Sequence, residues 1–341
     1  MQNIDRRQVL AGLAAATFAS SKGLAAPSSF TTNMYGGRWE NTWREKVLPQ
    51  FSKLIGRPVT LDIGVGTSLV ANFRAAGKDN PPFSGVMMNE RYTAMLRDQG
   101  YFETLTPSLI PNLADVVPTA RLKDDTAVTG MLAPLVIGYR TDLVKTPPRG
   151  WADFWRPDLR GQIGLYTITN SAGVMLALWA AEHFGTGQTD IDTAIKKFVE
   201  LKPFPQIGYS AQLTPLLTQG QIAMAPIDIG EIVPLKQRGV PLDFVVPEEG
   251  MMVFDHSFSI LAHGDDKETA AKYIDFVLSP EIQLFMAKEW LIAPTNAKAL
   301  LPVELEALPL TPAAIAKAKR FDWTAVNKLT PDLAAAWSKA L

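Results

Sequence analysis

The stretch Phe30–Gly37, FTTNMYGG, opens the pattern that decides the fold class. Its first six residues predict a short strand, which the two glycines end. Apolar residues then recur every three or four positions over 43–55, as expected for one buried helix face. A strand over Val59–Ile63, a helix over 68–76 and a strand over 85–88 follow. This alternation predicts a mostly parallel sheet covered by helices, which is an α/β fold.

The same rhythm continues along the chain. Further strands are predicted over 131–140, 162–166, 221–227, 242–246 and 258–261, and further helices over 91–99, 172–184, 267–278 and 280–290. The sequence contains no internal repeat and no low-complexity tract. At 341 residues, it is long enough for two lobes.

The first 26 residues are similar to a cleavable export leader of the twin-arginine kind. Arg6 and Arg7 precede a modest apolar run from Val9 to Ser20, and the small residues of Gly23–Ala26 offer a cleavage site. The run is too short to span a bilayer, which needs roughly 20 apolar residues. We therefore predict export by the twin-arginine route, with an ordinary general secretory signal as the alternative.

The composition excludes several functions. The chain has 33 basic and 34 acidic residues, whereas nucleic acids and anionic membranes attract proteins with a clear basic excess. It has no cysteine, so it cannot form a disulfide, a thiolate metal site or a lipid-modified N-terminal cysteine. Its three histidines, His183, His256 and His263, match no catalytic motif. We expect a free periplasmic protein that is not an enzyme and has no cofactor, no metal site and no nucleic-acid partner.

Six short segments occur in an order that is typical of one family. They are Met34–Gly37, Gly138–Val144, Pro147–Trp155 with Leu159–Gly161, Gly220–Met224, Val246–Gly250 and Leu278–Gln283. On these segments the chain resembles the extracellular solute-binding proteins of ABC importers, of the polyamine, iron and phosphonate type. The resemblance spans residues 30 to 294, which is nearly the whole mature chain.

The resemblance implies the type II fold of periplasmic binding proteins. Each lobe would be a mixed, mostly parallel sheet flanked by helices, and the ligand cleft would lie between the lobes. The implied division is residues 27–130 plus 258–310 for lobe 1, 131–257 for lobe 2 and 311–341 for a C-terminal helical segment, after a leader over 1–26. The implied partners are a small-molecule solute and an inner-membrane ABC permease, with the protein itself a monomer.

Four polar residues, Thr167, Thr169, Asn170 and Ser171, stand directly before the apolar helix over 172–184. Hydroxyl groups, free backbone N–H groups and the positive helix end together favour an anion. The alternative is that one of the four only caps the helix. Polyamine binders of this family carry acidic residues in the matching region, and here there are none. Anionic or zwitterionic solutes are therefore favoured over polyamines, and the isolated tyrosines argue against ferric iron.

Further candidates for ligand binding follow predicted strands. Tyr35 and Trp39 could stack on a ligand, although Trp39 could equally be a core residue. Thr67 and Ser68 lie in a turn, where they could bind the ligand or cap the following helix. Asn89 and Glu90 could bind the ligand or start the next helix. Asp228 could bind an amine of the ligand. Glu231 is interpreted as a helix-start residue.

The last candidates, Phe254, Asp255 and His256, lie beside the second implied crossing between the lobes. Asp255 could orient His256, and the alignment leaves open which of the two faces the ligand. We predict a periplasmic substrate-binding component of an ABC importer that captures a small polar solute, anionic or zwitterionic, between its lobes. The alternatives are a polyamine-binding protein of the same fold and a secreted, cofactor-free hydrolase.

Overall fold

A computed structural model describes residues 29–341, and the predicted leader over 1–26 lies outside them. The strands are β1 Phe30–Met34, β2 Val59–Ile63, β3 Gly85–Met88, β4 Val128–Arg140, β5 Leu165–Tyr166, β6 Gln206–Ile207, β7 Met224–Asp228, β8 Leu242–Val245 and β9 Met252–Ile260.

The helices are α1 Arg38–Thr42, α2 Leu48–Ile55, α3 Gly66–Ala76, α4 Glu90–Arg97, α5 Ser171–Phe184, α6 Ile191–Glu200, α7 Leu213–Thr218, α8 Ile229–Gln237, α9 Lys267–Leu278, α10 Pro280–Trp290, α11 Val303–Glu306, α12 Pro312–Ala316 and α13 Trp323–Ala340. A π-helical turn, Trp43–Val47, joins α1 to α2.

Strand β4 is the longest strand of the described chain, and all 13 of its residues are buried. Its first part pairs antiparallel with β9, so that Ala133 lies opposite Phe254. Its second part pairs antiparallel with β7 and β8, so that Leu135 lies opposite Asp228. Strand β3 pairs antiparallel with the other edge of β9. One five-stranded sheet therefore receives strands from both halves of the molecule.

The direction of pairing differs from the expectation in this sheet. The α/β fold is confirmed, and β1–β2 and β5–β6 are parallel pairs. The pairs of the five-stranded sheet, however, are all antiparallel, where mostly parallel pairing was expected. The reason is the chain path: β4 runs from one half of the molecule to the other, and β9 runs back beside it.

Two large apolar clusters lie at the two ends of this sheet. We call the segments around the first cluster, 30–133 and 258–292, lobe 1, and the segment 135–252 around the second cluster lobe 2. Helix α13 adds Trp323 and Trp337 to the cluster of lobe 2. Phe254 packs against both clusters and so lies between the lobes. The domain limits predicted from the sequence stay a prediction.

A buried amide connects β1 to β3 within lobe 1. Asn33 is fully buried, its Nδ2 donates to the carbonyl oxygen of Met87 at 2.8 Å, and its Oδ1 accepts from the Met87 N–H at 2.8 Å. The side chain thus satisfies both backbone groups of one residue of β3. As a result, the carboxyl ends of β1 and β3 lie side by side.

The substitution Asn33→Ala tests this connection. It leaves the N–H and carbonyl of Met87 without partners in the core, so we expect the free energy of unfolding to fall by about 2 to 4 kcal/mol. Urea denaturation followed by circular dichroism measures the change. The matched control is Asn41→Ala at an exposed position, which should change stability by less than about 0.5 kcal/mol. Equal effects of the two substitutions would contradict the assignment.

Candidate ligand-binding site

The lobe 1 candidates meet where β1 and β3 end beside β9. The Tyr35 hydroxyl donates to Oδ1 of Asn89 at 3.2 Å, and Nδ1 of His256 lies 3.4 Å from the same hydroxyl. Nδ2 of Asn89 donates to the backbone carbonyl of Asp255 at 2.6 Å. The carboxyl edge of an α/β sheet is the usual place for a ligand, and the structure brings four predicted residues together there.

Aromatic rings form one side of this cluster. The rings of Tyr35 and Trp39 each lie 5.5 Å from the His256 ring. Trp39 also stacks on Trp290 at 4.0 Å, and the guanidinium of Arg38 lies 3.9 Å from the centre of the Trp290 ring. Trp39 is half-buried. It therefore combines the two predicted roles, because it packs on Trp290 and also borders the His256 cluster.

Asp255 and His256 point to opposite faces of β9, as successive residues of a strand do. The Asp255 carboxylate accepts from the backbone N–H of Glu90 at 3.1 Å, at the start of α4. His256 instead faces Tyr35, so Asp255 does not orient it. Burial lowers the pKa of His256 to about 4, and the imidazole is therefore neutral at neutral pH.

Two carboxyl groups lie close together at the start of α4. Burial and the charge of Glu90 raise the pKa of Asp255 well above its usual range. Burial also raises the pKa of Glu90, while Arg97 at 3.7 Å opposes this shift. Glu90 is the first residue of α4, as the helix-start alternative proposed. The pair therefore holds a proton more tightly than exposed carboxyl groups do.

Lobe 2 contributes Asp228, which ends β7 at the N-cap position of α8. Burial, and then the charge of Glu231, raise the pKa of Asp228 to about 7. Glu231 lies in the first turn of α8, as expected, and accepts a hydrogen bond from Thr214 at 3.2 Å. Two carboxyl groups of lobe 2 thus lie near each other, and one of them changes its charge near neutral pH.

Asp228 and Phe254 lie on the same face of the five-stranded sheet. Their partners on β4, Leu135 and Ala133, are two residues apart, and such residues share a face. The Tyr166 ring meets the Phe254 ring edge-on at 6.1 Å. Burial, and then the charge of Asp228, raise the pKa of the Tyr166 phenol well above its usual range. The acid therefore lies among aromatic rings between the lobes.

The segment over 167–171 is only partly available to a ligand. The hydroxyls of Thr167 and Thr169 bond each other at 2.5 Å. Asn170 caps α5 by accepting from the N–H of Ala172 at 2.8 Å, and its Nδ2 donates to another backbone carbonyl. The capping alternative is therefore correct for Asn170. Within this segment, the Ser171 hydroxyl has no hydrogen-bond partner among residues 29–341, and Ser171 is buried at 4 % exposure.

Two residues that sequence reasoning missed cross the junction between the lobes. The guanidinium of Arg91 donates to the carbonyl of Ile168 at 3.2 Å, and the Tyr92 hydroxyl donates to the carbonyl of Thr169 at 3.1 Å. From the sequence, both are predicted only to belong to the helix over 91–99. The usable signal was Arg91 itself, because the first turn of a helix favours acidic residues over basic ones.

The turn before α3 leaves space for the Tyr92 side chain, whose hydroxyl bonds lobe 2. A side chain at Gly66 would place its Cβ 2.0 Å from the Tyr92 ring, so glycine is needed there. Ser68 bonds the backbone of Val65 and starts the helix, as the capping alternative proposed. Thr67 and Ser68 are both exposed. Their predicted contact with a ligand stays a prediction.

Over residues 29–341, no three acidic or histidine side chains are close enough to hold a metal ion. In the same range, no helix has the length and apolar character needed to cross a bilayer.

A family model for bacterial extracellular solute-binding proteins matches residues 82–337. The chain belongs to this family. Its members are transport proteins and not enzymes, as the sequence predicted, and this chain is an extracellular solute-binding protein. Small-molecule solutes and membrane permeases are the partners of such proteins.

Named relatives agree with the family. The spermidine/putrescine-binding periplasmic protein of Escherichia coli (strain K12) is 24 % identical over 266 residues, which cover 76 % of each chain. The putrescine-binding periplasmic protein PotF of the same organism is 24 % identical over 356 residues, or 94 % of each chain. The predicted periplasmic location is thereby confirmed.

Solved structures support the fold. A putative extracellular solute-binding protein from Bordetella parapertussis has a TM-score of 0.77 at 19 % identity, and the match covers 92 % of this chain and 99 % of that one. The two-lobed fold is thereby confirmed.

The raised pKa of Asp228 predicts a gain of stability on its replacement. A carboxyl group with a pKa of about 7 when folded, against 3.8 as its usual value, binds its proton more tightly in the folded state. Stability is therefore lost as pH rises from about 4 to 7. We expect Asp228→Asn to stabilise the solute-free protein by about 2 kcal/mol at pH 8 and by much less at pH 4.5.

Thermal unfolding at the two pH values measures this difference. The control is Asp192→Asn on the exposed side of α6, which should change stability by less than about 0.5 kcal/mol. A gain of equal size for Asp228→Asn at both pH values would show that Asp228 titrates normally.

Proposed function

We propose that the protein captures a small solute carrying at least one ammonium group and delivers it to an inner-membrane ABC permease. The observation that carries this proposal is Asp228, a partly buried acid that lies between the lobes near Glu231 and Tyr166. A solute ammonium would give this acid the cation that it lacks within the site. Of the solutes that the sequence leaves open, the zwitterionic ones and the polyamine alternative fit this acid, and purely anionic ones do not.

The electrostatics favour an ammonium over an anion at this position. A nearby cation lowers the pKa of a carboxyl group, so a bound ammonium would ionise Asp228 and gain a charge-assisted hydrogen bond. The aromatic rings of Tyr166 and Phe254 add a surface that attracts cations. An anion would instead meet the negative charges of Asp228 and Glu231. A solute with negative groups alone is therefore disfavoured.

The relatives support a positive end as well. Two of them are named for putrescine and spermidine, which carry ammonium groups. Capture would follow the hinge closure that is usual for two-lobed binding proteins, with β4 and β9 as the hinge strands. In this proposal the protein acts as a monomer without a cofactor, and the twin-arginine leader delivers it to the periplasm.

The pH dependence of binding tests the proposal. Because Asp228 must lose its proton to bind an ammonium, we expect affinity for the solute to rise about tenfold between pH 6 and pH 8. Asp228→Asn should weaken binding at least about tenfold at pH 8 and abolish this rise. The probes are aliphatic compounds of three to six carbons with two ammonium groups, one ammonium and one carboxylate, or two carboxylates.

Isothermal titration calorimetry gives the affinities, and Asp192→Asn serves as the control, with unchanged binding expected. If only the dicarboxylates bind, the proposal is wrong.

A further inference from the structure

We infer that Arg91 and Ser171 form a carboxylate-binding subsite at the lobe junction, so that the solute is an amino carboxylate and not a polyamine. This inference rests on the proposed function for the ammonium end of the solute. It assigns the other end to one residue of each lobe, Arg91, which bonds the segment over 167–171, and Ser171, which ends that segment.

Arg91 is a buried cation without a matching anion. Its side chain is only 4 % exposed, and its Nε has no hydrogen-bond partner in the described chain. Within residues 29–341, no carboxylate lies within 4.0 Å of its guanidinium; its one hydrogen bond there goes to the neutral carbonyl of Ile168. A buried charge without a counter-charge is costly. A solute carboxylate would offset this cost, and the planar guanidinium matches a carboxylate in two parallel hydrogen bonds.

Ser171 is a second buried group without a partner, and it belongs to the other lobe. It is the first residue of α5, which has 14 residues, and its hydroxyl is also buried at 4 % exposure. The neighbouring polar side chains are already used by one another and by the backbone. Ser171 therefore adds a free hydroxyl to the positive end of a long helix, where an anion is stabilised.

The two groups lie at the same junction. Arg91 bonds the carbonyl of Ile168, and Tyr92 bonds the carbonyl of Thr169, within the four residues before Ser171. Both α4 and α5 begin here. Arg91 belongs to lobe 1 and Ser171 to lobe 2, so opening of the hinge would separate and expose them. A carboxylate that enters would then be held by both lobes when they close.

This subsite separates amino carboxylates from polyamines. A polyamine carries ammonium groups at both ends, so one of them would lie beside the cation of Arg91. Repulsion of this kind is a common source of specificity. The segment over 167–171 also carries no acidic residue that could neutralise a second ammonium group.

A matched set of four-carbon compounds tests the inference: 4-aminobutanoate, 1,4-diaminobutane and butanedioate, followed by their three- to six-carbon homologues. We expect the wild type to bind the best amino carboxylate at least about a hundredfold more tightly than the diamine of equal length. Arg91→Gln should weaken binding of the amino carboxylate at least about tenfold and leave diamine affinity unchanged or improved. Ser171→Ala should weaken the amino carboxylate about three- to tenfold.

The control is Arg44→Gln, an exposed arginine on the π-helical turn, which should alter no affinity. Tighter binding of diamines, with amino carboxylate affinity unaffected by Arg91→Gln and Ser171→Ala, would overturn the inference and leave the proposed function standing. Binding of dicarboxylates alone would overturn both. If Arg91→Gln fails to fold, the inference is tested by the wild-type ratio of amino carboxylate affinity to diamine affinity and by the change in this ratio in Ser171→Ala. A hydroxyl with a purely structural role would not change this ratio.

Discussion

The antiparallel pairing of β4 with β9 is the constraint on which the rest of the structure depends. Strand β4 is buried along its whole length and pairs with strands of both lobes, so it fixes where each lobe begins. The register of this pairing places Phe254 and His256 between the lobes. It also places Asp228 on the same face as Phe254, because their partners on β4 are two residues apart. The candidate site is a consequence of this register.

Within residues 29–341, the solute-free site contains buried ionisable groups without opposite charges beside them, and a bound solute would stabilise these groups. Asp228 and Asp255 are held at raised pKa by burial and by neighbouring acids, and Arg91 is buried without a counter-charge. Each feature lowers the stability of the solute-free protein. Such groups are common at functional sites, because binding partners compensate charges that the fold leaves unpaired. Among the described residues, Asp228 of lobe 2 has no cation beside it, and Arg91 of lobe 1 has no carboxylate within 4.0 Å of its guanidinium.

Much of the fold could be predicted from the sequence, since apolar periodicity gave the limits of α9 and α10 as the structure has them. The start of β9 could not, because Asp255, His256 and Ser257 are polar residues buried inside a strand. Their burial depends on neighbours that are distant in sequence, such as Tyr35 and Glu90.

The candidate site shows the same limit. Strand ends identified Tyr35, Asn89 and Asp228 as candidates for ligand binding, and the family resemblance identified His256. Sequence alone could not tell that Asn170 is used as a cap while Ser171 is left unpaired. It also missed Arg91, whose role depends on a contact 77 residues away in the chain. Local sequence patterns thus predict where the loops lie, whereas contacts between residues distant in sequence determine which side chains have no hydrogen-bond partner.

A crystal structure of the protein with a bound amino carboxylate such as 4-aminobutanoate tests the proposed site most directly. We expect the ammonium within about 3 Å of the Asp228 carboxylate and the carboxylate in contact with both Arg91 and Ser171. A solute bound in the reverse orientation, or outside the junction of the lobes, would contradict this expectation.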